Sequence, residues 1–393
     1  MLTGYLRRWG KGCFGTKVPR NDNIMGKIIL EFKKVAGRLL FPVFIPKKTH
    51  SEKVLIVKDN SIGDFLLFSG ILSFYIRHFG DKVYCLVNDN VEEVAKLYTD
   101  NVIVMNDRKY FTSFKYRYRL ITQLENMGFG TAINSILNSS ESRDILYILR
   151  APLTYLYGGV IMKLRKIGRW KNIANIVPEL KMFDDKGIYT SVFAHEKYFI
   201  ERILNVKVSD DEVKPYIPLN NNASEKIINK FSLQKGNYIV FTFGSRSAKR
   251  DYPSDKFVEV MEYLHRRLGM KTVLIGVDQY SPDALPDFVI DLRRKTSLID
   301  AFGIIRHARI FIGNETGVTH ASWIMGVPTV MIYGGGQFGG FLPLYDNGCI
   351  VYKQMDCYCC NWGCKYSDIP VRCIGEIGVD DILKIVDNVI KGL

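Results

Sequence analysis

Residues 54–79, "VLIVKDNSIGDFLLFSGILSFYIRHF", decide the fold, because a short apolar run stops at a polar loop and an apolar helical pattern follows it. The run at 53–58 has the length and β-branched content of a buried strand, and 65–78 has the pattern of a helix. The next apolar segment, "KVYCLV", predicts another strand. A strand, a helix and a strand in succession indicate a parallel sheet with helices on its faces.

The same alternation begins again in the second half of the chain. "NNNASEK", which follows Pro215 and Pro218, is typical of a linker, and strand and helix patterns then continue through residue 333. The closing "VDDILKIVDNVIKGL" predicts an amphipathic helix. A chain of 393 residues is long enough for two such domains. We therefore predict two doubly wound, Rossmann-like α/β domains at 51–220 and 221–393, facing a central cleft.

Residues 1–50 form a basic extension with eleven lysines and arginines against Asp22 and Glu31, in a chain of net charge +14. Within it, "IMGKIILEFKKVAGRLL" places apolar residues at helical spacing between cations. This pattern predicts a basic amphipathic helix that binds an anionic membrane surface. The alternative is a helix packed on the protein's own body. Nucleic acid is not an expected partner, since no recognition module of known pattern is present.

The sequence shows neither a secretory signal nor an apolar run near the ~20 residues that a membrane-spanning helix needs. We expect a cytoplasmic protein, peripheral on the inner face of the cell membrane.

Five of the eight cysteines crowd into one segment, "CYCCNWGCKYSDIPVRC". They are Cys357, Cys359, Cys360, Cys364 and Cys373. In a reducing compartment such a cluster indicates free thiols or a metal site rather than disulfides. The C-x-C-C-x3-C spacing lacks the paired C-x2-C of zinc ribbons, so reduced thiols are favoured and a structural zinc ion is the alternative.

Asp64 stands where the first predicted strand passes into its helix, at the edge of the sheet where ligands bind in parallel α/β domains. Two interpretations are open. Asp64 could cap the helix, or its carboxylate could face a ligand. Ser61 could cap the helix instead, and Gly63 would allow a ligand to approach the backbone closely.

Two loops of the second half have the composition of anion-binding sites. The first, in "GSRSAKRDYP", offers Gly244, Ser245, Lys249 and Arg250 before a helix, although a solvated turn is the alternative. It lacks the pattern of a P-loop.

The second loop lies in "RIFIGNETGVTHASWIMGVPTVMIYGGG", where Thr316 and Gly317 open a helix and His320 follows one turn later. The helix start and the imidazole predict a diphosphate cradle. The glycines at 334–336, 339 and 340 predict a flexible closing flap. Two phosphate loops in one domain and a carboxylate in the other indicate a nucleotide-diphosphate donor bound across the cleft.

These segments, together with "DLRRKTSLIDAFGIIRHA", resemble the family 9 glycosyltransferases, the lipopolysaccharide heptosyltransferase family, over about residues 52–390. The resemblance implies a GT-B fold, with the acceptor on the N-terminal domain and the nucleotide sugar on the C-terminal one. It also implies an inverting, metal-independent transfer of a sugar, heptose from ADP-heptose, to a lipopolysaccharide-type or other cell-surface glycan. The chain contains no D-x-D pair for a divalent ion, so no cofactor beyond the nucleotide sugar is expected.

The resemblance assigns roles to individual residues. Asp64 would be the base that deprotonates the acceptor hydroxyl, and Asp278 would bind the ribose of the donor. Glu315 stands where the family usually has aspartate, and "KRDYP" replaces K-x-W-P, which leaves open whether Lys249 or Arg250 holds the phosphate. The donor-binding residues are Gly244, Ser245, Lys249, Arg250, Asp278, Glu315, Thr316, Gly317 and His320.

The acceptor is expected to be an anionic lipid-linked glycan, because cations cluster in the N-terminal half at 108–119 and again at 163–171. Ordinary solvated surface is the alternative for both groups. The predicted acceptor-binding residues are Ser61, Gly63, Arg117 and Arg119. Two other functions stay open: a transferase of the same fold that uses a UDP- or GDP-sugar, and a non-catalytic nucleotide-sugar-binding protein at the membrane.

Overall fold

The structure is a computed structural model. It describes residues 50–136, 140–149, 151–157, 175–178, 180–185, 187–245, 247–277, 285–341, 347–366 and 368–391. The predicted amphipathic helix of the basic extension and the second basic group at 163–171 lie outside these residues.

The first half of the chain folds around a six-stranded, wholly parallel sheet in the order β3-β2-β1-β4-β5-β6. Its strands are β1 (Val54–Lys58), β2 (Val83–Asn88), β3 (Val102–Met105), β4 (Thr131–Asn134), β5 (Leu153–Tyr157) and β6 (Asn175–Val177). Its helices are α1 (Ile62–Phe79), α2 (Glu92–Ala95), α3 (Asp107–Thr112), α4 (Phe114–Met127), α5 (Ser140–Leu149) and α6 (Val192–Leu204).

The second half repeats this topology. Its sheet has the order β12-β11-β10-β7-β8-β9, which is the same winding when it is counted from β7. Its strands are β7 (Tyr238–Thr242), β8 (Lys271–Leu274), β9 (Val289–Asp291), β10 (Ile310–Asn314), β11 (Thr329–Ile332) and β12 (Gly348–Val351). Its helices are α7 (Asn221–Lys230), α8 (Ser254–Leu268), α9 (Leu298–Arg306), α10 (Gly317–Ile324), α11 (Arg372–Gly375) and α12 (Val379–Lys391).

The central strands are buried on both faces, which is why their sequences are continuous apolar runs rather than alternating ones. Every residue of β1 is buried: Val54 and Ile56 belong to one core, and Leu55 and Val57 belong to the core on the opposite face. The predicted fold class, two doubly wound, Rossmann-like α/β domains, is confirmed. The domain boundary at residue 220 stays a prediction.

No helix in the described ranges is both long and apolar enough to cross a membrane.

The two halves meet where α1 and α10 begin. A Cβ atom on Gly63 would lie 2.8 Å from Cδ2 of His320, and one on Gly317 would lie 2.9 Å from Cγ2 of Ile62. Glycine at both positions therefore lets the two helix N-termini approach each other. The switch points of both sheets consequently face the same cleft, which is where ligands bind in such folds.

Two pairs of hydrogen bonds also connect the halves. The backbone amides of Tyr189 and Val192 donate to the carbonyl oxygens of Phe338 (3.0 Å) and Gly340 (2.9 Å). The Glu93 carboxylate accepts from the first backbone amides of α9, at 3.2 and 3.4 Å, where the helix dipole favours an anion.

Candidate active site

A cavity of about 760 Å³ lies between the halves, and it brings together most of the predicted donor-binding residues. From the second half these are Gly244, Ser245, Arg250, Glu315, Thr316, Gly317 and His320, and from the first half Ser61, Gly63 and Asp64 line it as well. The cavity size is typical of a small-molecule site.

Asp64 is the third residue of α1, and Ser61 is the N-cap residue of this helix. The interpretation of Asp64 as the cap is therefore wrong. The Ser61 hydroxyl donates to Oδ2 of Asp64 at 2.5 Å, which orients the carboxylate at the cleft. Asp64 also lines a second cavity, of about 440 Å³, so it stands on a wall that the two cavities share.

His320 is held in one orientation by two partners. The indole Nε1–H of Trp323 donates to Nδ1 of His320 at 3.3 Å, and Nε2 lies 3.2 Å from Oε1 of Glu315. An indole N–H can only donate, so Nδ1 of a neutral ring is unprotonated and the proton sits on Nε2. The imidazole thus presents an N–H donor to the carboxylate on the cavity wall.

Arg250 lies on the same wall, with Nη1 at 3.4 Å from Oε2 of Glu315 and its guanidinium 5.3 Å from the ring centre of Trp362. The side chain of Lys249 is exposed and is not among the residues that line either cavity. The Glu315 carboxylate therefore contacts both the guanidinium of Arg250 and the imidazole of His320, the two side chains at the predicted diphosphate position.

Helix α10 adds backbone amides to this position, because the first N–H groups of a helix have no partner within it. Its N-cap residue, Thr316, makes no capping bond with its side chain. Instead its hydroxyl lies 3.0 Å from Oγ1 of Thr319, which donates to the carbonyl of Asn314. The side chains at this helix start are thus turned away from capping, and an anion can reach the amides.

Asn314, which sequence reasoning did not single out, fixes the two phosphate loops relative to each other. It is fully buried, its amide group donates to the carbonyl of Phe243, and its Oδ1 accepts from the backbone amide of Tyr252 at 3.1 Å. In the sequence, the feature that could have identified this role is the position of Asn314 in "GNETG", between the predicted strand and the predicted helix.

The Cys-rich segment packs on the glycine-rich turn. A Cβ atom on Gly334 or Gly336 would lie 2.7 or 2.4 Å from the ring of Trp362, and one on Gly335 would lie 2.2 Å from that of Tyr358. These three glycines are buried, so they serve close packing of aromatic rings rather than the flexible flap that we expected.

The cysteines Cys357, Cys359, Cys360, Cys364 and Cys373 are free thiols. Burial raises the pKa of four of them, Cys357, Cys359, Cys360 and Cys373. Among the described residues, no three histidine, cysteine or acidic side chains are arranged to hold a metal ion, so the zinc alternative has no support.

The remaining predicted residues lie elsewhere. Arg117 is 3% exposed and forms an ion pair with the buried Asp144, outside both cavities, and Arg119 is exposed on α4. Asp278 lies outside the described residues. The individual roles of the predicted site residues stay predictions.

The second cavity contains residues that sequence reasoning missed. Its wall includes Lys58, Ser135, His195 and Glu196 from the first half and Phe341 from the second. Phe341 lines the 760 Å³ cavity as well.

Comparison with known proteins gives a family and a set of structural neighbours. Residues 189–367 match the family model for glycosyltransferase family 9 (heptosyltransferase). No curated protein sequence matches the chain.

Among solved structures, the chain is similar to E. coli ADP-heptose lps heptosyltransferase II, with 15% identity over 86% of this chain and 99% of the other and a TM-score of 0.63. It is also similar to the glycosyl transferase family 9 from Veillonella parvula, with 16% identity over 88% and 98% and a TM-score of 0.63. E. coli heptosyltransferase WaaC, solved with ADP-2-deoxy-2-fluoro heptose, shows 14% identity over 86% and 99% and a TM-score of 0.61. These neighbours share the GT-B fold with this chain.

Proposed function

Because this chain is a glycosyltransferase of family 9, we propose that it transfers heptose from ADP-heptose to a hydroxyl of a lipopolysaccharide-type or other cell-surface glycan. The observation that carries the proposal is the position of Asp64 on the wall shared by the two cavities. A carboxylate there faces both a sugar leaving a nucleotide in one cavity and a hydroxyl arriving in the other.

The proposed reaction is a single inverting displacement. The acceptor oxygen attacks the anomeric carbon, the bond from that carbon to the diphosphate oxygen breaks, and Asp64 takes the acceptor proton. Ser61 supports this role because its hydroxyl bond fixes the direction of the carboxylate. A general base of this kind contributes typically ~10²- to 10⁴-fold in rate.

The charge that develops on the leaving diphosphate would be met by Arg250, by the Nε2–H of His320 and by the first amides of α10. We assign the phosphate role to Arg250 rather than to Lys249, because Arg250 lines the cavity. The bridging carboxylate of Glu315 would release both groups as the diphosphate arrives. These groups supply positive charge without a divalent ion, so the proposed transfer is metal-independent.

The test is a turnover assay with a donor panel. We expect the full chain to release ADP from ADP-heptose in the presence of an acceptor glycan, and to do so equally well with EDTA. Asp64→Asn should lower kcat by ~10²- to 10⁴-fold while calorimetry shows ADP bound as in the wild type. Release of UDP or GDP, with ADP-heptose unused, would favour the alternative donor class. An Asp64→Asn protein with normal turnover would show that Asp64 is not the base.

We further propose that the protein is peripheral on an anionic membrane and that its acceptor is lipid-linked. Support comes from the exposed cations of α3 and α4, which lie beside the exposed rings of Phe114 and Tyr118. The cations are Arg108, Lys109, Lys115 and Arg119.

Co-sedimentation with vesicles of anionic or neutral lipid tests this surface. Lys115→Glu with Arg119→Glu should reduce binding to anionic vesicles, and Lys226→Glu on the exposed face of α7 is the matched control. Equal binding to neutral and anionic vesicles would refute the electrostatic part of the proposal.

A further inference from the structure

Several residues that line the 440 Å³ cavity beside Asp64 carry buried polar atoms that have no hydrogen-bond partner among the described residues. They include Oγ of Ser135, Nδ1 of His195 and Oε2 of Glu196. These side chains are only 5%, 6% and 4% exposed. Because buried polar groups are almost always hydrogen-bonded, three such atoms on residues of one cavity wall call for polar partners, which water or the hydroxyl groups of a ligand can supply.

Each of these side chains is fixed by the surrounding fold. Glu196 and His195 lie on the first turns of α6, and Ser135 directly follows β4. Oε1 of Glu196 forms a buried ion pair with Lys58, whose Nζ also lies 4.7 Å from the ring centre of Phe68. The other carboxylate oxygen, Oε2, is the one without a partner. The ion pair therefore orients Glu196 so that a single acceptor atom remains for a ligand.

The charge of the cavity wall selects the kind of ligand. Among its described residues, one lysine, Lys58, accompanies four carboxylates. The carboxylates belong to Asp59, Asp64, Asp107 and Glu196. Lys58 is already paired with Glu196, and burial lowers the pKa of His195, which favours its neutral ring. A phosphate or carboxylate in this cavity would meet like charge at short range, whereas hydroxyl groups can donate to carboxylates.

We infer that this cavity binds an uncharged, hydroxyl-rich sugar unit of the acceptor, with Ser135, His195 and Glu196 as its hydrogen-bond partners. The inference rests on the proposed function, since it takes Asp64 as the base for a hydroxyl of this same sugar. Any phosphate of the acceptor glycan would then lie outside this cavity. The class of acceptor is thus a neutral glycosyl residue at the reacting position, within a glycan that can carry charge elsewhere.

The experiment measures binding of small glycosides to the full chain in the presence of saturating ADP. The neutral probes are methyl glucoside and methyl mannoside, and the anionic probes are methyl glucuronide and mannose phosphate. Saturation-transfer NMR detects each probe, and calorimetry in the same buffer reports the affinity for ADP. The variants are Ser135→Ala, His195→Gln and Glu196→Gln. Ser73→Ala, whose hydroxyl bonds to Tyr216 at 2.8 Å outside the cavity, is the matched control.

We expect a neutral glycoside to bind and the anionic probes to bind at least tenfold more weakly. Ser135→Ala should weaken the neutral probe by about threefold to tenfold and Glu196→Gln by about tenfold or more, with ADP affinity and melting temperature unchanged in Ser135→Ala. Ser73→Ala should have no effect. The Ser135 variant keeps the test valid if Glu196→Gln fails to fold beside Lys58.

Preferential binding of mannose phosphate or methyl glucuronide would overturn the inference. So would the absence of any neutral glycoside signal in protein that binds ADP, or neutral binding that none of the three variants changes. Failure of the wild-type chain to bind ADP would instead count against the proposed function, so the two failures are distinguishable.

Discussion

Adding one methyl group at the contact between α1 and α10 should uncouple the two halves of the site. In Gly63→Ala the new Cβ would lie 2.8 Å from Cδ2 of His320, and in Gly317→Ala it would lie 2.9 Å from Cγ2 of Ile62. Relaxed carbon contacts lie at about 3.5–4.0 Å, so the helix N-termini must separate by roughly 1 Å. Because Gly63 directly precedes Asp64, this separation moves the proposed base relative to the donor.

A misplacement of about 1 Å can cost up to ~10²-fold in rate, so we expect kcat to fall by about tenfold to a hundredfold in either variant. Overpacking should also lower the free energy of unfolding by about 1–3 kcal/mol. The assay is steady-state turnover of ADP-heptose, with urea unfolding in parallel. Gly375→Ala, whose nearest neighbour is Cγ of Pro370 at 3.3 Å, is the matched control and should keep normal turnover.

A double variant, Gly63→Ala with Gly317→Ala, tests whether both methyl groups act through the same contact. Once the first methyl has separated the helices, the second finds more room, so the combined loss in kcat should be smaller than the product of the two single losses. If both single variants turned over within twofold of the wild type while remaining folded, the contact would not set the catalytic geometry.

Three other predictions concern stability and donor binding. Asp144→Ala removes the buried carboxylate partner of Arg117 and should lower the free energy of unfolding by about 3 kcal/mol in urea titration, whereas an unchanged midpoint would contradict the importance of this ion pair. Burial lowers the folded-state pKa of His195 and of His307, so the unfolded chain binds more protons than the folded chain at mildly acidic pH. The contribution of these histidines to the free energy of unfolding should be complete above about pH 6.5 and should be lost as the pH falls below it. His195→Gln should make the free energy of unfolding less dependent on pH, and identical pH profiles of the variant and the wild type would refute this prediction. Trp362→Ala should weaken ADP binding, measured by calorimetry, by about twofold to tenfold, because Arg250 loses the ring beside its guanidinium. Tyr366→Ala is the control, since it removes a similar contact between a ring and an arginine, at 4.1 Å from Arg372, and should leave ADP binding unchanged.

The alternation of apolar runs and helical patterns was sufficient to predict both sheets, because a parallel strand buried on two faces leaves a continuous apolar signature. The closing helix predicted in "VDDILKIVDNVIKGL" agrees with α12, Val379–Lys391. The predicted start of α1 was three residues late, because Ile62, Gly63 and Asp64, which follow Ser61, already belong to the helix. Single-sequence patterns fix the type of an element better than its ends.

Long-range pairing is what the sequence could not show. Lys58 and Glu196 are 138 residues apart, and the residues around each of them in the sequence do not indicate that the two form an ion pair. Arg117 looked like one of several surface cations on a basic helix, but the fold places it against Asp144 in the interior. The glycines at 334–336 suggested mobility, and only the position of Trp362 and Tyr358 reveals that they provide space for rings.

The backbone bonds from Tyr189 and Val192 to the turn at 338–340 have a mechanical consequence. They fasten the start of α6 to the second half of the chain, although the rest of α6 packs against α1 of the first. If these bonds stay intact as the halves rotate, they act as a pivot, and the walls farthest from them travel the greatest distance. The wall of the 440 Å³ cavity includes Tyr189, Val192 and Gly340, so this cavity would lie at the pivot and would keep its shape while more distant walls move.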